Sequence, residues 1–228
     1  MSLSHIPHKG FLLGIEGPDG AGKSTLRTWL NEWFNGHGIT AVLTREPGGT
    51  PEAEMIREDI LRKRKGHEEP VCALTQTFKF MAARAQHIEM LIKPRLANGE
   101  LVITDRFCDS TFAYQTQEGV ATSKLRVLHD VAFDNFKPDL TILLDGNPEV
   151  FRERMAGRGD DALNFYDLKP IEFHHATRKV YKECAILDMN RYAVIDAEQA
   201  FEQVQAQLIP YLMQIDAHLR RRPVSVPA

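Results

Sequence analysis

Gly17-Pro18-Asp19-Gly20-Ala21-Gly22-Lys23-Ser24 decides how this chain folds. It fits the pattern of a glycine, four free positions, then Gly-Lys-Ser, which cradles phosphate when a strand precedes it and a helix follows. Both neighbours are legible. Phe11-Leu12-Leu13-Gly14-Ile15 is a short apolar run expected to be a buried strand, and Leu26, Trp29, Leu30, Trp33 and Phe34 recur at helical spacing. Glycines within the loop let successive amides turn inward at the positive end of the following helix. Lys23 is then expected to reach the β- and γ-phosphates of a nucleotide, and the Ser24 hydroxyl to join the ligands of a magnesium ion. A glycine-rich turn that binds nothing would account for the spacing but not for its flanks.

Working outward, Ile39-Thr40-Ala41-Val42-Leu43 is a second expected strand, entered from a helix stop at Gly36-His37-Gly38. It delivers Arg45-Glu46-Pro47-Gly48-Gly49 to a loop, and Thr50-Pro51 has the form of a helix cap with proline in the first turn. A cation there stands at the carboxyl edge of a sheet, where open α/β folds bind ligands. By residue type alone, a surface loop with an Arg-Glu pair is the simpler account. Arg62-Lys63-Arg64-Lys65 suits a solvated helix end. Leu74, Phe78, Met81, Ala82, Ala85 and Ile88 mark a long helix that Pro94 is expected to kink or end. Phe80 and Arg84 lie one turn apart on it, as a packing pair or as a stacking ring and a fork for a planar ligand.

Leu101-Val102-Ile103-Thr104 is a third apolar run ending at Asp105-Arg106-Phe107, an acidic residue placed as a Walker B group near magnesium. Ser110, Thr111, Tyr114 and Gln115 follow on a short helix. Thr141-Ile142-Leu143-Leu144 and Tyr192-Ala193-Val194-Ile195 complete five strands, and a last helix from Phe201 to Ile215 is expected to bend or break at Pro210. Between them, Arg152, Arg154 and Arg158 precede a polar stretch, either an exposed basic helix end or a lid over the phosphates spanning about 153–168. Residues 1–9 and 220–228 are expected to be flexible ends. Strands alternating with helices imply an α/β domain of the P-loop NTPase kind, a five-stranded parallel sheet with helices on both faces.

The 228 residues, 43% hydrophobic and 26% charged, describe one ordinary globular domain. A net charge of −3 argues against holding nucleic acid by general electrostatics. Cys72, Cys108 and Cys184 suggest no disulfide framework or zinc spacing, hence reduced thiols and a cytoplasmic protein. No stretch is apolar and long enough for a signal peptide or a membrane span.

Taken together, Gly-Pro-Asp-Gly-Ala-Gly-Lys-Ser (17–24), Thr-Arg-Glu-Pro-Gly-Gly-Thr (44–50), Phe-Met-Ala-Ala-Arg (80–84), Asp-Arg-Phe (105–107) and Pro-Asp-Leu-Thr-Ile-Leu-Leu-Asp (138–145) occur in the order of thymidylate kinases. From about Phe11 to Leu212 the chain resembles that family, and the Arg-Glu-Pro-Gly-Gly loop is the most specific of these motifs. The resemblance implies transfer of the γ-phosphoryl group of ATP to dTMP with magnesium, by a homodimer. It implies that Gly17, Pro18, Asp19, Gly20, Ala21, Gly22, Lys23, Ser24 and Thr25 hold ATP, with Ser24 and Asp105 toward the metal. Asp19 would lie beside the acceptor sugar, Arg45 and Arg106 would hold the acceptor phosphate with Asp105 positioning it or the metal, and Phe80 and Arg84 would take the base. Ser110, Thr111 and Gln115 would line the pocket, and Tyr114 would sit under the deoxyribose. Gly20 stands where one class of the family has an arginine, so the resemblance points to the bacterial-type class in which a lid arginine supplies that charge. Arg158 is the first choice and Arg154 the second, although Ala156 and Gly157 interrupt the family's arginine-rich pattern. Met81 and Phe107 also depart from common family residues. Two rivals remain: a deoxynucleoside kinase, and a switch GTPase reading guanine through Asn135-Phe136-Lys137-Pro138-Asp139, which has one residue too many.

Overall fold

Phe11–Glu16 forms β1, buried along its whole length, with a parallel strand on either side of it. The computed structural model describes residues 6–62, 68–156 and 165–221. In chain order these give β1, α1 (Lys23–Gly36), β2 (Ala41–Arg45), α2 (Pro51–Leu61), α3 (Ala73–His87), α4 (Lys93–Ala97) and β3 (Leu101–Asp105). There follow α5 (Cys108–Gln117), α6 (Thr122–Phe133), β4 (Leu140–Asp145), α7 (Pro148–Ala156), α8 (Ile171–Leu187), β5 (Tyr192–Asp196) and α9 (Phe201–Arg220). The strands lie in the order β2-β3-β1-β4-β5, all parallel.

Alternation along the strands explains the two layers of helices. Phe11, Leu13 and Ile15 join Leu26, Leu30, Phe34 and Leu208 in one core, whereas Leu12 points the other way toward Ile88, Phe112 and Tyr181. Parallel strands buried on both faces carry apolar runs rather than a polar face, as the sequence has them. Among the described residues, no helix is long and apolar enough to cross a membrane.

Two prolines behave differently from expectation. The helical run continues from α3 into α4 through a π-turn at Ile88–Ile92, with Pro94 in the first turn of α4. A regular α-helix would press the Pro94 ring against the carbonyl four residues back, and the wider turn before it accommodates that clash. Pro210 lies inside α9 on its exposed side, and the helix runs unbroken to Arg220. Arg220 is held there by Asp216 and by the carbonyl of His37. At the other end His8 meets Asp139 at 3.3 Å.

Candidate active site

The phosphate loop closes between β1 and α1. Gly20 has φ +81°, and a Cβ built there would lie 2.4 Å from the Phe151 carbonyl oxygen, so backbone handedness and space both demand glycine. No side chain caps α1, which leaves its first-turn amides open to an anion. Lys23 is buried and its Nζ donates to the carbonyls of Gly17 (2.9 Å) and Pro18 (2.7 Å), with Asp19 at 3.7 Å. Burial and the neighbouring Arg106 guanidinium lower its pKa. Ser24 faces the same space.

Across the loop lies a turn at the end of β3. Arg106 adopts φ +70°, the left-handed region a branched or long side chain rarely takes, which marks a site under constraint. Its Nη2 pairs with Asp19 Oδ1 at 2.5 Å, Nη1 donates to Ser110 Oγ (3.0 Å), and the guanidinium lies over the Tyr114 ring. Tyr114 in turn donates its hydroxyl to Asp19 Oδ2 at 3.1 Å. Burial alone would raise the Asp19 pKa, but Arg106 and Lys23 hold it well below the usual carboxylate range. Asp19 is therefore an anion at neutral pH, clasped between two cations. Beneath the turn Glu16 accepts from the backbone of Phe107 and Ser110, and burial together with Asp109 pushes its carboxyl up to about 7.

A cavity of about 390 Å³ opens over these groups. It is lined by Asp19, Gly20, Gly22, Lys23 and Ser24 of the loop and by Phe80, Arg84, Phe107, Thr111, Tyr114 and Gln115 of α3, α5 and the turn before α5. Arg84 is buried. Its Nε donates to Glu46 Oε2 (2.7 Å) and its Nη2 to Thr111 Oγ1 and the Phe107 carbonyl, which leaves Nη1 without a protein hydrogen bond among the described residues. Glu46 is fixed by His87, which is itself held by Thr44. Gln115 donates to the Tyr166 hydroxyl, and Tyr166 also lines the cavity. Asp105 lines it too, with a buried Oδ1 that has no hydrogen-bond partner among the described residues.

Two expected cations are placed otherwise. Arg45 is about half exposed, pairs with Glu54 at 2.9 Å and does not line the cavity. The cation that does is Arg57 of α2, steadied by the Pro47 carbonyl. Alternation along β2 turns Arg45 off the carboxyl edge, while α2 docks against α3 with Arg57 inward. Arg154 donates to the carbonyls of Ala197 (2.7 Å) and Glu198 (3.0 Å) after β5, away from the cavity. Arg158 lies outside the described residues, as does 157–164, the middle of the expected lid. The supposed guanine reader is at the wrong end of the sheet: Asp139 accepts from the Leu12 amide at 2.7 Å beside the amino ends of the strands.

Arg57, Glu16, Glu46 and Tyr166 escaped the reading of the sequence. Glu46 had a signal, its place in the Arg-Glu-Pro-Gly-Gly motif. Arg57 had none that separates it from any other helix arginine, and Tyr166 only its nearness to the lid.

A thymidylate kinase family model matches residues 15–208. The chain is 41% identical over 209 residues to the thymidylate kinase of Ectopseudomonas mendocina, covering 90% of this chain and 97% of that one. It is 40% identical over 213 residues to the thymidylate kinase of Pseudomonas savastanoi pv. phaseolicola, covering 93% and 99%. It is 39% identical over 201 residues to that of Hahella chejuensis, covering 88% and 94%. A likeness running through nearly the whole length, and through both walls of the cavity, means that the chain belongs to the thymidylate kinase family.

Proposed function

We propose that the cavity joins two anionic substrates end to end, ATP at the loop wall and dTMP at the Phe80 end, for in-line transfer of the γ-phosphoryl group. As a member of its family the chain is a nucleoside monophosphate kinase. The observation that carries the assignment is one space lined by Lys23, Arg57 and Arg106 together with the Phe80 ring and Arg84, whose Nη1 has no protein hydrogen bond among the described residues. Phosphoryl transfer asks for position and charge neutralisation rather than covalent chemistry, and these residues supply both.

Lys23 would leave the carbonyls of Gly17 and Pro18 for the donor phosphates, and the open amides of α1 would take their oxygens. Arg57 and Arg106 would hold the acceptor phosphate. Asp19, kept anionic by Arg106, would orient both that guanidinium and the acceptor sugar. Phe80 would stack on the base and Arg84 Nη1 would donate to a base carbonyl. Tyr114, pinned to Asp19, would fill the space that a ribose 2′-hydroxyl needs. Arg158 would bring the lid's charge to the transferring group.

Ser24 and Asp105 fit magnesium, the unpartnered buried oxygen of Asp105 being what such an ion would occupy. Among the described residues no three His, Cys, Asp or Glu side chains converge, so phosphate oxygens and water would complete its ligands. Held by Ser24 and Asp105, such an ion would supply charge neutralisation to the donor phosphates. The free cysteines, two of them buried, favour a reducing cytoplasm. Exposed Met55 and Phe78 on the packed pair α2 and α3 favour a homodimer through helices.

A coupled assay with ATP, magnesium and a panel of nucleoside monophosphates tests the assignment, with thymidine itself included. Turnover of dTMP above every other acceptor is expected. Turnover of thymidine in its place would mean a deoxynucleoside kinase, for which two cations at the acceptor end have no purpose.

A further inference from the structure

Arg106 is a half-buried cation on a left-handed residue, and something other than its own turn must hold it there. The helix that follows, α5, receives no side-chain hydrogen bond from its own N-cap residue, Phe107. Two amides at its start are nonetheless satisfied. Glu16, the last residue of β1, reaches across from the neighbouring strand: its Oε1 accepts from the amides of Phe107 (2.8 Å) and Ser110 (3.1 Å). Its Oε2 accepts from Ser110 Oγ at 2.7 Å. With its proton given to Glu16, Ser110 Oγ has two lone pairs left, and these meet Arg106 Nη1 (3.0 Å) and the Tyr181 hydroxyl (2.8 Å). Glu16 is wholly buried. A carboxyl group in such a place is costly unless each oxygen is used, and here both are.

We infer that Glu16 is a positioning residue, a cap for α5 supplied from β1, which sets the direction of Arg106 through Ser110 and so orders the acceptor-phosphate site. Glu16 itself touches neither substrate. Because it directly precedes Gly17, one side chain ties the end of the donor loop to the arginine of the acceptor end. A helix cap of ordinary kind would only stabilise α5, whereas this one also orients a substrate-binding cation. The inference rests on the assignment of Arg106 to the acceptor phosphate.

Glu16→Gln keeps the shape and an oxygen for the two amides but reverses the bond to Ser110. The expected result is a rise in KM for dTMP of about ten- to a hundredfold, the scale of a small misplacement of a binding group, with KM for ATP within about twofold. Ser110→Ala, which leaves the amide bonds intact, should move the same constant in the same direction. The double variant should be little worse than Glu16→Gln alone, since both cut one chain of contacts. Equal rises in both KM values, or a lowered Tm with KM for dTMP unchanged, would overturn the inference. Should Glu16→Gln fail to fold, Ser110→Ala decides by the same criterion. If the unaltered protein proves inert toward dTMP, the functional assignment fails. The crystal structure of Glu16→Gln then decides the role of Glu16: Arg106 turned off Asp19 supports it, and Arg106 unmoved overturns it.

Discussion

Arg45 and Arg57 carry the same charge on consecutive elements, yet only Arg57 borders the cavity. The difference is orientation, set by the pleat of β2 for one and by the docking of α2 for the other. Arg45 is spent on Glu54 in a half-exposed pair, an interaction typically worth about 1 kcal/mol or less. Arg57 is half-buried beside Arg106, and a hydrogen bond to a charged partner there is worth about 1.5–3 kcal/mol. Arg57→Ala should therefore raise KM for dTMP by about ten- to a hundredfold, while Arg45→Ala should change it by less than about threefold. Steady-state kinetics on the two variants checks this, and equal effects would return Arg45 to the acceptor site. The motif made Arg45 conspicuous in the sequence. Nothing in the linear pattern around Glu54 and Arg57 says which of two arginines turns inward.

At the level of elements, the phosphate loop was legible because its glycines have local reasons to exist. Gly20→Ala would force a left-handed alanine and press its Cβ into the Phe151 carbonyl of α7. A cost of about 1–3 kcal/mol is expected, read as a lower midpoint of thermal unfolding together with a fall in kcat. Retention of both would mean that the loop and α7 are not packed as described. The same contact leaves no room at this position for a side chain as large as arginine. Arg154 is engaged by the carbonyls after β5, which leaves Arg158 as the lid cation to test. Arg158→Ala should lower kcat by about three to five decades with Tm nearly unchanged, as expected of a cation that acts on the transferring group rather than on the fold. Near-normal turnover would remove it from the mechanism.

Across the whole molecule, stability should depend on pH through a histidine far from the chemistry. His129 of α6 is buried, with Nε2 on the Phe136 carbonyl and Nδ1 unpartnered among the described residues. Burial and the Arg84 charge lower its pKa from 6.5 to about 4. Below 6.5 the unfolded chain takes up a proton that the folded one refuses, so stability rises with pH between about 4 and 6.5 and is lost as pH falls through that window. The shift corresponds to at most about 3 kcal/mol. Denaturant titrations of His129→Leu should show a shallower loss of stability on going from pH 6.5 to 4, and an unaltered slope would count against a buried neutral imidazole. The sequence by itself determined the α/β class, the five strands and the identity of the phosphate loop, because runs of apolar residues and obligatory glycines answer to neighbours close in the chain. It also placed Phe80, Arg84, Asp105, Arg106 and the α5 residues, since each follows a strand end or shares one helix face. Only the tertiary structure decided that Arg57 rather than Arg45 lines the cavity, that Arg154 is engaged elsewhere and that Glu16 accepts from a helix start 91 residues away. Those choices depend on how two elements dock, and docking is settled by packing across the sheet rather than by any local pattern.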